Sequence, residues 1–86
     1  MPRLTPPDDR VLARRRELGH QIRRVREQLG LTQATVCGRA GIDIATYSRI
    51  EQGHSSPLAD TLIRMADAMK VDPAVFWQPS DPATRD

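Results

Sequence analysis

Aromatic residues are nearly missing from this 86-residue chain. Only Tyr47, Phe76 and Trp77 occur, so any core must be built mostly from aliphatic side chains. Cysteine is rarer still: Cys37 has no second thiol, which excludes an internal disulfide and a multi-thiolate zinc site. No apolar run reaches the ~18 residues that span a bilayer, and the opening Met-Pro-Arg-Leu-Thr-Pro-Pro lacks the apolar stretch of a secretion signal. A soluble cytoplasmic protein without membrane contact is the expectation. Groupings that would carry catalysis are also lacking. His20, His54 and Cys37 fall on different predicted elements, no nucleophile stands beside a base, and so short a chain leaves little room for a pocket. No enzymatic activity, catalytic residue, metal or cofactor is expected. A chain of this size makes one domain, near the lower limit of what folds on a hydrophobic core alone, and association with a second subunit is a common support.

Lysine is scarce too: of 13 basic residues only Lys70 is not arginine. The net charge of +2 hides an uneven distribution. Residues 1–30 carry eight arginines against Asp8, Asp9, Glu17 and Glu27; residues 31–53 balance; residues 54–86 carry an acidic excess. A basic front end suits a polyanion, or simply solvates a helix face.

The pattern along the chain predicts five short helices and no strand, an all-α fold. Residues 1–8, with three prolines, read as a flexible basic arm, and residues 9–77 as the folded domain. Asp8 or Asp9 caps a first helix running to Leu29, whose buried stripe is Leu18, Ile22, Val25 and Leu29, with Val11 one step earlier. Gly19 interrupts that pattern and predicts that the first half is a separate or frayed turn. Gly30 stops the helix, and Thr32 caps a second over 33–40 that buries Val36, Cys37 and Ala40. Gly41 turns the chain, Ile42 enters the core, and Asp43 caps a third helix to Gln52, ended by Gly53 and facing inward with Tyr47 and Ile50. Pro57 opens a fourth helix burying Leu58, Leu62, Met65, Ala66 and Met69. Asp72-Pro73 starts a short fifth helix through Trp77, and residues 78–86 read as a disordered tail.

Residues 32–53 are the most informative stretch. Two short helices hinged at Gly41 and closed by Gly53 are the sequence form of a helix-turn-helix, the motif that lays its second helix in the major groove of DNA. Four blocks extend the pattern: Leu18…Ile22-Arg23…Arg26; Gly30-Leu31-Thr32-Gln33; Gly41-Ile42…Tyr47-Ser48-Arg49-Ile50-Glu51-Gln52-Gly53; and Pro57…Thr61-Leu62…Ala66…Ala68-Met69-Lys70-Val71. In this order and spacing the chain, over about residues 17–77, resembles the lambda-repressor-like (Cro/XRE) family of helix-turn-helix transcriptional regulators. It departs from the family pattern at Cys37 and Gly38 in the second helix, at Ile44 and Ala45 where longer polar residues are common, and in the basic segment 10–16, which extends beyond the usual module.

With Tyr47 and Ile50 inward, the third helix turns Ile44, Ala45, Ser48 and Arg49 outward. Arg49 is the expected base reader, since its guanidinium fork matches the O6 and N7 of guanine. Ile44 and Ala45 either pack on a thymine methyl or merely permit close approach. The resemblance assigns Gln33 a phosphate contact, to which a brace for the third helix can be added; a solvated glutamine is the alternative. His54 and Ser55 donate to phosphates or form a polar turn, and Arg23 and Arg24 reach the backbone if their edge of the first helix faces DNA. The resemblance further implies an internal ion pair between Arg26 and Glu51, hence structural roles for both. Val75 and Trp77 are candidates for a dimer surface, with core capping as the alternative.

These residues lead to the expectation of a sequence-specific regulator that binds double-stranded DNA, as a homodimer on a palindromic operator. An antitoxin, or an interaction module that uses the same fold to hold a protein partner, is the alternative.

Overall fold

A computed structural model describes residues 5–78. Half of the expected arm (residues 1–4) and nearly all of the expected tail (residues 79–86) lie outside the described residues. The fold is all-α: α1 (Asp9–Gln28), α2 (Gln33–Ala40), α3 (Ile44–Glu51), α4 (Ala59–Met69) and a closing 3₁₀ helix (Pro73–Trp77) in the place of the expected fifth helix.

Local chemistry sets most of these ends. Asp8, Thr32 and Asp43 each have extended backbone and accept a hydrogen bond from the amide three residues on, satisfying an orphan donor of the first turn. Asp72 caps the 3₁₀ helix by accepting from the Ala74 amide, two residues on, at 2.8 Å. At the other end of α1, the Gly30 and Leu31 amides return to the carbonyls of Glu27 and Arg26, and Gly30 takes a left-handed φ of 71°. The end of α4 uses the same device without a glycine: Lys70 sits at φ 60°.

Ile22, Val36, Tyr47, Met65 and Phe76 form the dry centre of one core, with Leu18, Val25, Ile50, Leu62 and Met69 around them. Leu31, Ile42, Val71 and Val75 pack against its edge. The 3₁₀ helix seals the bottom, held to α1 by the Gln21 amide, which donates to the Val75 carbonyl at 3.0 Å.

Several expectations are corrected. Leu58 is 74% exposed, because α4 begins at Ala59; Leu58 is the extended residue before it and Pro57 lies outside the helix altogether. Val11 and Leu29 are also exposed. The core ends before the first turns of α1 reach it, and Leu29 sits where the chain is already turning, so Leu31 packs in its stead.

The expected break at Gly19 does not occur: α1 is continuous for 20 residues. Gly19 is buried because the end of α3 presses on it. A Cβ there would stand 2.4 Å from the Ile50 carbonyl oxygen and 2.6 Å from that of Glu51.

Candidate nucleic-acid interface

α2 and α3, joined through Gly41, Ile42 and Asp43, form the helix-turn-helix unit. Gly41 adopts φ 71°, a conformation that favours glycine, and lets the Ile42 amide reach back to the Cys37 carbonyl at 3.1 Å. Asp43 opens α3. Its carboxylate accepts from the Thr46 amide at 3.0 Å and the Thr46 hydroxyl at 2.6 Å, and these bonds hold it below the usual carboxylate range.

One carboxylate fixes the unit to the rest of the protein. Glu51, 7% exposed at the end of α3, accepts from Arg26 of α1 twice, Nε to Oε2 at 2.7 Å and Nη2 to Oε1 at 3.1 Å. The Gln33 amide, at the start of α2, donates to Oε1 at 2.9 Å, and the Tyr47 hydroxyl donates to Oε2. The remaining Arg26 fork nitrogen donates to the Leu31 carbonyl at 2.8 Å, fixing the loop between α1 and α2.

The electrostatics follow from this geometry. Burial pushes the Glu51 carboxyl up, but the hydrogen bonds from Arg26, Tyr47 and Gln33 outweigh it and hold the group ionised. The Glu51 bond raises Arg26 further. Burial, then the same carboxylate, drives Tyr47 far above its ordinary range, so its hydroxyl stays a donor. Burial likewise pushes the Cys37 thiol up, leaving it an unreactive core residue.

With Tyr47, Ile50 and Glu51 facing inward, the outer face of α3 carries Ile44, Ala45 and Arg49, all exposed. Residues 44, 45, 48 and 49 fall within one arc of roughly 140° at about 100° per residue. Ser48 lies on that arc but is half-buried, its hydroxyl accepting from Gln52 at 3.2 Å. Gly53 then turns the chain at φ 79°, and the His54 amide returns to the Arg49 carbonyl at 2.9 Å. His54 is exposed and Ser55 half-buried.

The other residues singled out from the sequence are scattered around this unit. Gln33 is half-buried with its amide turned to Glu51. Arg23 is exposed on α1 and paired with Glu27 at 3.1 Å, while Arg24 is half-buried. Trp77 is 65% exposed; Val75, on the same short helix, is half-buried against the core. Two ties escaped the sequence reading. Tyr47 serves as a donor as well as an apolar core residue, a role its four-residue spacing from Glu51 could have signalled. Arg39 donates to the Ala68 carbonyl at 3.1 Å, linking α2 to α4, and no local pattern announces that bond.

Comparison with known proteins gives one consistent answer. A family model described as a helix-turn-helix domain matches residues 17–76. An uncharacterized HTH-type transcriptional regulator of Sinorhizobium fredii, y4dJ, is 33% identical over 67 residues, covering 78% of this chain and 87% of that protein. Among solved structures, the restriction-modification controller protein C.AhdI from Aeromonas hydrophila superposes with a TM-score of 0.73 at 23% identity, over 74% of this chain and 97% of that one. The hypothetical transcription factor NHTF from Neisseria also gives 0.73, at 22% identity, over 96% and 93% of the two chains. These two structures share the fold.

Proposed function

The chain belongs to the helix-turn-helix family, in its lambda-repressor-like branch, and from that premise we propose that it is a DNA-binding transcriptional regulator that reads double-stranded DNA by sequence. The carrying observation is the contrast between the two faces of α3. Its inner face is locked by Tyr47, Ile50 and the buried Glu51, while its outer face holds Ile44, Ala45 and Arg49 exposed. A helix held this rigidly on one side and open on the other suits the major groove.

In this reading Arg49 donates its fork to a guanine edge, Ile44 and Ala45 meet a thymine methyl, and Ser48 contributes at the rim. Gln33, Arg23, Arg24, His54 and Ser55 serve the phosphates on either side of the groove. Gln33 already gives one amide hydrogen to Glu51, so it offers the second. The protein acts as a homodimer on a two-fold operator, with half-sites about one helical turn apart. The exposed Trp77 beside Val75 is the proposed contact between copies. Among the described residues no helix is long and apolar enough to cross a membrane.

Selection of bound sites from random duplexes tests the reading. A palindromic consensus is expected, and Arg49→Ala should relax one position in each half-site by about 1–3 kcal/mol. Absence of binding to every duplex, or an Arg49→Ala variant that selects the same consensus, would overturn it. The apolar Ile44-Ala45 pair is what favours a protein partner at this face instead, and failure of DNA binding together with capture of a defined partner through Ile44 would support that alternative.

A further inference from the structure

The helix-turn-helix match begins at residue 17, yet α1 begins eight residues earlier. That extra length carries Arg10, Arg14, Arg15 and Arg16, and the only acid on it is Asp9 at the helix start. Like charges four residues apart, such as Arg10 and Arg14, destabilise a helix. Among the described residues Arg14 is relieved by Glu17 at 3.0 Å, whereas Arg15 and Arg16 enter no ion pair.

The position of these two arginines is informative. A Cβ on Gly53 would stand 2.7 Å from the Arg16 Cα, so the backbone of α1 lies directly against the turn that ends α3. Arg15 lines a shallow hollow with Ser56 and Pro57, the next residues of the same loop. Two arginines without an ion pair therefore stand on the part of α1 that borders the loop leaving the proposed reading helix, a loop that also carries the exposed His54 and Ser56.

We propose that Arg15 and Arg16, with the loop from Gly53 to Ser56, form a second seat for DNA phosphates, extending the grip past the end of α3. The inference rests on the DNA reading given above and adds to the loop's phosphate contacts two arginines that lie outside the residues matched by the family model. Guanidinium groups suit this role because a phosphate accepts their planar fork in parallel bonds, and neutralising the backbone releases counterions whatever the base sequence.

The experiment measures the affinity of the full chain for a duplex bearing its selected site, and for an unrelated duplex, across a salt series. Three proteins are compared: the unaltered chain, the double variant Arg15→Ala/Arg16→Ala, and Arg15→Lys/Arg16→Lys. Losing two phosphate contacts should lower the slope of log affinity against log salt by about 1.8. The fall in affinity between 50 and 200 mM salt then becomes about twelvefold smaller. The ratio of specific to unrelated binding should hold, and the lysine variant should recover most of the slope. An alanine variant with unaltered slope and affinity, in a chain that binds its site, overturns this proposal and leaves the reading of α3 intact. A chain that binds no duplex overturns both. Circular dichroism confirms folding, and a double variant that melts early is replaced by single Arg15→Gln and Arg16→Gln variants, each expected to lower the slope by about 0.9.

Discussion

Replacing Gly19 by alanine tests how α1 and α3 are joined. Inside a helix this exchange ordinarily stabilises, by about 0.5–1 kcal/mol, because glycine loses more backbone freedom on folding. At position 19 the sign should reverse. The added Cβ would meet the Ile50 carbonyl oxygen at 2.4 Å, the Glu51 oxygen at 2.6 Å and the Glu51 carbonyl carbon at 2.9 Å. All three are backbone atoms, so no change of rotamer relieves them. Ordinary carbon contact lies near about 3.5 Å, and the two helices must separate by roughly 1 Å to reach it. Overpacking of this kind costs about 1–3 kcal/mol. The separation also stretches the Arg26–Glu51 fork, which spans the same helix pair at 2.7 and 3.1 Å and loses roughly another 1 kcal/mol. Less the propensity gain, the net loss is about 1–3 kcal/mol, or roughly 4–24 °C in Tm for a domain of this size. Gly38→Ala is the internal control: it lies within α2, is exposed, and a Cβ there meets nothing within 4 Å. It should stabilise by about 0.5–1 kcal/mol. Thermal and urea unfolding followed by circular dichroism measure both. A Gly19→Ala protein at least as stable as the parent would refute the close approach of α1 and α3.

Glu51→Ala leaves the Arg26 guanidinium and the Tyr47 hydroxyl buried without their acceptor, and should lower stability by about 3–5 kcal/mol in urea titration; unchanged melting with lost DNA binding would contradict a structural role. Because the folded protein holds the Glu51 carboxyl below its ordinary range, its contribution is fully present above about pH 4.3 and disappears as pH falls through the lower folded value. Glu51→Gln should therefore flatten the acid side of the stability profile, read as unfolding midpoints between about pH 6 and 3. Lys70→Gly removes a left-handed conformation from a residue with a Cβ and should stabilise by about 0.5–1 kcal/mol; a lower Tm would show that Lys70 is held there by side-chain contacts instead.

The starts of α1, α2 and α3 and the hinge were legible in the sequence because their chemistry is local. Asp8, Thr32 and Asp43 cap through bonds only three residues long, and Gly30, Gly41 and Gly53 mark turns through their own backbone freedom. Periodicity identified most of the core but ran past its edges. Val11, Leu29 and Leu58 keep the helical spacing while standing where no partner element reaches or where the helix has not begun. Gly19 was misread for a related reason: its value lies in contact with residues about thirty positions away, and within α1 alone it looks only like a defect. For the candidate site, the outward face of α3 followed from placing Tyr47 and Ile50 inward. The hydroxyl of Tyr47 was overlooked although its four-residue spacing from Glu51 lies within α3, whereas the bond from Arg39 to the α4 backbone depends on tertiary placement that spacing does not encode.

Glu51 takes hydrogen bonds from α1, α2 and α3 on two oxygens, and this bears on how the domain can come apart. An apolar contact can loosen one helix at a time, because each methyl group lost is a small step. A buried charge shared by three helices offers no such gradation: releasing any one strips a donor from an ion that water cannot yet reach. Partial opening of the helix-turn-helix unit is thereby penalised relative to complete unfolding. The three helices behave as one cooperative unit, and their most protected amides should exchange with solvent through the same global event. A single carboxylate thus makes the small domain open as a whole or stay closed.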